Sequence, residues 1–196
     1  MTQQMRAWRG PAVFSYGFRP FFFAAALWAA MAMVGWVLML SGWAALPTAF
    51  DPVSWHAHEF LFGYLGAVMA GFLLTAVPNW TGRPPITGWP LAILFVLWAA
   101  GRAAIAVSNM IPPAVVAAAD LALLVALAAA VMREIIAAKN WRNLGVLALL
   151  GIFAFGNGVF HCEAARGEFA AAGGGSGFVV ENCGWNTPGF IGVCAR

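Results

Sequence analysis

The chain has 196 residues, of which 63% are hydrophobic and 9% charged, with a formal net charge of +3. Soluble domains carry about a quarter charged residues, and a core this small cannot take up so much apolar side chain, so most of it must face lipid; a water-soluble globular domain is excluded. The few basic residues lie scattered between apolar runs and call for no nucleic-acid partner, and Cys162, Cys183 and Cys194 show no metal-ligand spacing.

Residues 1–20 carry Arg6, Arg9 and Arg19 and read as a short extramembrane segment. Residues 21–40, FFFAAALWAAMAMVGWVLML, contain no charged side chain. At about 1.5 Å per residue these twenty span roughly 30 Å, the hydrocarbon thickness of a bilayer. The run is too long for the apolar part of a signal peptide, roughly 7–15 residues. Four more runs follow, at 58–77, 88–109, 113–133 and 144–161. Asp51, Pro52 and Ser54 can start the second helix. Pro78, Pro84, Pro85 and Pro90 are expected to break the chain after it, and Pro112-Pro113 to separate the third run from the fourth. Lipid-exposed strands would leave backbone groups unpaired, so the runs are helices. The fold class is therefore all-α: a polytopic membrane helix bundle of about five transmembrane helices over 21–168, with an irregular tail at 169–196.

Positive charge gives a direction. Besides the N-terminal arginines, Arg83 lies in the second connection and Arg133, Lys139 and Arg142 in the fourth; the first and third connections have none. This pattern places the N-terminus in the cytoplasm and residue 162 onward outside. Trp43, Trp80, Trp89 and Trp141 fall near the expected interfaces, as an aromatic belt would.

That topology brings His56 and His58, at the start of the second helix, to the same membrane face as His161, at the end of the fifth. These are the only histidines of the chain. On a regular helix His56, Glu59, Gly63, Ala67, Ala70 and Gly71 share one side, whose small residues let another helix approach closely. His56 and Glu59 then point into a helix–helix seam, and His58 points elsewhere; if 55–59 is loop, both imidazoles can converge. Asn157 and His161, four apart, share a face of the fifth helix. Ionisable groups at membrane depth are costly and mark function. Imidazole is the commonest metal ligand, a carboxylate often orients it, and two histidines on facing helices can hold a haem iron. Candidate cofactor and metal ligands are His56, His58 and His161, with Glu59 beside them. Imidazole suits iron, copper and zinc alike, so the residues do not fix the metal.

Arg102 lies nine residues before residue 111, the centre of the third connection, and Asp120 nine after it. They should meet at equal depth as a buried ion pair; an ion path is the sharper alternative. No nucleophile–base set, phosphate loop or dinucleotide fingerprint is present, and GGGSG at 173–177 lacks the strand–helix context such a loop needs. Whether the chain is an enzyme stays open.

Four stretches resemble a known family. Ser15 to Phe22 (SYGFRPFF), Trp55 to Glu59 (WHAHE) with Leu61 to Tyr64, and Pro78 to Pro85 (PNWTGRPP) are similar to the opening, the most recognisable motif and the following loop of the NnrS family; NGVFHCE at 157–163 resembles a later element. The resemblance covers about 14–168. It implies a bacterial inner-membrane protein with many spans, associated with haem and copper, with denitrification, and with the nitric oxide response and relief of nitrosative stress. It makes His56, His58 and His161 the haem or copper ligands, with Glu59 their partner. Nitric oxide binds haem iron and copper readily, which gives the implied role a chemical basis. Members of the family are roughly twice as long as this chain. Past about residue 172 the apolar rhythm gives way to a glycine-rich, cysteine-bearing end, which suggests a truncated or frameshifted reading frame; a genuine outer tail with a Cys183–Cys194 disulfide is the alternative. A homo-oligomer or a partner membrane chain would then supply any further ligands. Two other functions compete: a transporter that uses the Arg102/Asp120 pair, and a non-functional fragment of a longer membrane protein.

Overall fold

A computed structural model describes residues 10–166; the tail at 169–196 and the Cys183–Cys194 pairing lie outside the described residues. Five helices are long and apolar enough to cross a membrane: α1 (Phe18–Leu40), α2 (Pro52–Thr81), α3 (Trp89–Ala106), α4 (Pro113–Ala138) and α5 (Leu144–Ala165). No strand occurs among the described residues. The all-helical bundle read from the apolar runs is the fold.

The helix ends follow local chemistry. Asp51 caps α2: its Oδ1 accepts from the Val53 and Ser54 amides at 2.9 and 3.1 Å, while Pro52 occupies the first helical position. Pro78 does not end α2, contrary to the expectation. The helix runs through it to Thr81 and stops at Gly82, whose φ of +66° is left-handed. A proline this close to the end removes one backbone donor from the last turns, and the Thr81 hydroxyl donates back to the Val77 carbonyl at 2.9 Å. Trp43, Trp89 and Trp141 are exposed at helix ends, where an aromatic belt would sit.

Consecutive spans run antiparallel. α1 lies along α2, α4 packs against α2, α3 and α5, and the core between them holds Phe21, Ala67, Ala70, Leu91, Leu127, Ile135 and Leu150. The small-residue stripe of α2 receives α1 as its spacing implies: a Cβ at Gly71 would lie 2.8 Å from the Phe22 ring. α5 is thinly packed. Only Leu150, Asn157 and His161 of it are buried, while Phe155 on its outer side is 73% exposed. In lipid, apolar burial gives little reason for helices to associate, so close small-residue contacts and interhelical polar bonds must hold the bundle.

α2 is not uniform. Residues 59–64 form a π-helical turn between the α-helical segment at 52–58 and the one from 65 to 81. Its buried pairs recur every four residues: His58 and Glu59, Phe62 and Gly63, Gly66 and Ala67, Ala70 and Gly71. A wide turn takes in one extra residue, so residues before it are rotated by about 100° relative to a regular helix. The Trp98 indole donates to the Gly63 carbonyl within this turn at 2.9 Å.

Candidate functional site

Glu59 and Asp120 each lie seven residues past the first residue of their helices, at 52 and 113, about 10 Å along the axis. Arg102 lies four residues before the end of α3, and Asn157 and His161 lie eight and four before the end of α5. The up-and-down topology puts all of these at one end of the bundle, where they form a single buried polar node.

Arg102 is its centre. Its Nη1 donates to Glu59 Oε2 at 2.8 Å, and its Nη2 is paired with Asp120 Oδ1. Trp28 of α1 donates from Nε1 to the same Glu59 oxygen at 2.6 Å. The other Asp120 oxygen, Oδ2, accepts from Asn157 Nδ2 at 2.8 Å and lies 3.0 Å from His161 Nε2 and 3.2 Å from His58 Nε2. His58 Nε2 is also 3.2 Å from Asn157 Oδ1. Every span contributes at least one group, so the node ties together helices that lipid alone would leave apart. His58 and Glu59 are wholly inaccessible, and Arg102, Asp120, Asn157 and His161 are buried. Phe50, Phe62 and Phe160 wall the His58 imidazole, with ring centroids 5.8, 5.1 and 4.9 Å away.

Two glycines make room for the node. A Cβ on Gly63 would lie 2.6 Å from Arg102 Nη1, 2.7 Å from Glu59 Oε2 and 2.9 Å from Trp28 Nε1. One on Gly101 would lie 3.1 Å from the Asp120 Cα, so α3 and α4 are in close contact here. Gly63→Ala should therefore lower thermal stability in detergent by about 1–3 kcal/mol, because three charged or polar atoms must shift together. An unchanged melting temperature would show that the node yields freely.

The sequence expectations meet this geometry unevenly. The Arg102–Asp120 pair forms at the depth predicted, and Asn157 and His161 share their face. His58, Glu59 and His161 come together; the His58 and His161 ring centroids are 5.4 Å apart. His56 does not join them. It stacks on Trp36 of α1, centroids 4.1 Å apart and planes within 15°, on the flank of α2. The regular-helix reading that sent His56 inward and His58 away is reversed, because the π turn shifts the inner positions back by one, to Trp55, His58 and Glu59. The sequence reading sets Asp120 with Arg102 alone, as a structural pair or an ion path, yet it contacts both inner histidines.

Charge shows what the node can do. With both imidazoles neutral, Arg102 balances one of the carboxylates of Glu59 and Asp120, and one negative charge remains. Inside a membrane such a charge is costly, and a cation removes the cost: a proton on an imidazole or a metal ion. His58 Nε2, His161 Nε2 and an Asp120 carboxylate oxygen are placed for the second. These three potential ligand atoms all lie within 4.8 Å of one another. On the far side of the ring, His58 Nδ1 and Glu59 Oε1 are both buried without a hydrogen-bond partner and face each other at 3.6 Å. With Nδ1–H directed at Glu59, a metal at Nε2 would take the place of the proton that Nε2 otherwise directs at Asn157 Oδ1 and Asp120 Oδ2, the usual carboxylate–histidine–metal order. A bis-histidine haem fits less well. Asp120 Oδ2 already lies against both Nε2 atoms, at 3.2 and 3.0 Å.

No curated protein and no solved structure is similar enough to this chain to match it. A family model described as NnrS protein matches residues 12–185, well over half of the chain, and the chain belongs to that family. The match extends beyond residue 172, where the apolar rhythm stops. The chain is a multi-pass membrane protein of the NnrS type.

Proposed function

We propose that this NnrS-family protein holds a transition-metal ion within the bilayer between His58, His161 and Asp120, with Glu59 orienting His58, and that it serves the nitric oxide response through that ion. Copper, which the family resemblance implies, suits a set of imidazole and carboxylate donors, as do iron and zinc. The observation that carries the reading is the convergent group of three ligand atoms, with the Glu59 carboxylate 3.6 Å from the other ring nitrogen of His58.

When bound, such a metal would supply a coordination position for nitric oxide. The residues of the chain would do the rest. Asp120 supplies the charge that draws the cation. Arg102 keeps that carboxylate and Glu59 fixed and stops the two from repelling each other. Phe50, Phe62 and Phe160 keep water from the His58 ring. We also propose that the N-terminus is cytoplasmic, on the distribution of basic residues, which puts the metal near the extracytoplasmic face.

The test is metal content. Protein purified in detergent and loaded with copper should retain about one ion per chain. His58→Ala and His161→Ala should each lower the affinity at least tenfold, whereas His56→Ala should leave it unchanged. Copper retained by both inner variants but lost from His56→Ala would overturn the assignment. A Soret band lost with His58 or His161 would show that haem, not a lone ion, is the cofactor there.

A further inference from the structure

The opposite end of the bundle has a different chemistry. The connection from α2 to α3, the first half of α3 and the end of α4 line an open cleft of about 920 Å³. At its mouth Glu134 of α4 holds two guanidinium groups. Oε2 is paired with Arg83 Nε, and Oε1 accepts from Arg133 Nη2 and Nε at 2.9 and 3.2 Å. The Glu134 side chain is 8% exposed, but Arg83 is 41% and Arg133 70% exposed. The carboxylate thus anchors both cations at the rim while their outer surfaces stay open. Two positive charges against one negative leave the mouth with a net charge of +1.

Below the mouth the walls are apolar. Leu94 and Leu97 of α3 face Ala126 and Ala130 of α4 across the cleft. From Trp89 at the rim to Leu97 is eight residues, about 12 Å into the span. Ala129 lines the same α4 side, so small side chains make up that wall. A soluble anion would meet the rim and leave the lower wall uncovered. A molecule with a phosphate at one end and a chain of methylenes below it would meet both.

We propose that this cleft is a binding site for an anionic phospholipid, whose phosphate sits between Arg83 and Arg133 and whose acyl chain lies along the α3–α4 groove. The phosphate closes the charge of the mouth, with guanidinium–phosphate bonds of the charge-assisted kind, and basic pockets between transmembrane helices are a recognised setting for lipid headgroups. The site is separate from the polar node, which lies at the other end of the same helices, so it stands or falls independently of the metal reading.

The full chain, delipidated in detergent, is titrated with phosphatidylglycerol, phosphatidylcholine or inorganic phosphate while its melting temperature is followed. Phosphatidylglycerol should raise it by roughly 3 °C or more, and the other two should leave it near the starting value. Arg133→Gln keeps the Arg83–Glu134 pair and should lose most of the shift. Ala130→Leu leaves the charges untouched but fills the groove, and should lose the shift as well. Equal responses to phosphatidylglycerol and phosphatidylcholine would show mere hydrophobic solvation and overturn the proposal. So would an equal response to inorganic phosphate, which would mean anion binding at the rim alone. No response to any of the three also overturns it, as does a full response in Ala130→Leu.

Discussion

Asp120→Asn is expected to abolish metal retention by the purified protein while leaving it folded. The substitution keeps side-chain volume but removes one of the two negative charges of the node. Arg102 and Glu59 then balance each other, at 2.8 Å, and the node no longer calls for a cation. Copper affinity should fall by about 100-fold or more, since a direct ligand and its charge are lost together. Asp120→Ala goes further. It strips the acceptor from Arg102, Asn157 and both inner histidines, and should cost about 3–5 kcal/mol of stability as well. The two measurements are metal per chain by mass spectrometry and the melting temperature in detergent. Wild-type copper content in Asp120→Asn would exclude Asp120 from the site, whatever the melting curve shows.

The same variant bears on the transporter reading. Taken from the sequence, that reading sets the Arg102/Asp120 pair apart from the histidines. In the fold the pair and the inner histidines share Asp120 Oδ2. Loss of a function in Asp120→Asn therefore fits either reading. His161→Ala is the variant that separates them, because it removes a ligand without touching the Arg102 ion pair. Transport that survives in His161→Ala would favour an ion path over a metal centre.

What the sequence made legible was depth. Run lengths and turn positions set the five spans, and equal distances from residue 111 set Arg102 against Asp120. The same arithmetic, applied from Pro52 and Pro113, places Glu59 level with Asp120, and so the polar pair and the histidines could have been read as one site. Rotation was less legible. The inner face of α2 is correct from Glu59 to Gly71, because Gly63, Ala67 and Ala70 report close packing through their size. It fails before Glu59 because the π turn rotates the preceding residues, and no composition signal in EFLFGY marks that turn. His56 and His58 differ only by that rotation. The interior place of Asn157 followed from its spacing to His161. Its contact with Asp120 did not, since nothing local in α5 says which side of α4 it meets.

Arg102→Met tests whether the node is held by charge. The variant leaves Glu59 and Asp120 facing each other with no guanidinium between them. Removing one partner of a buried ionic group typically costs about 3–5 kcal/mol, and here two carboxylates lose the same partner, so little folded protein should accumulate. Excess copper should partly restore it, because a cation beside Asp120 replaces some of the missing charge. The triple variant Glu59→Gln, Arg102→Met, Asp120→Asn removes all three charges at once. Whole buried ionic groups can often be replaced by neutral side chains of similar volume at little or no cost. The triple variant should therefore melt within a few degrees of the wild type and bind no copper, its stability now independent of added metal. A triple variant as unstable as Arg102→Met alone would mean that the arginine acts through its packing beside Gly63 rather than through its charge. A stable triple variant that still bound copper would place the metal elsewhere in the fold.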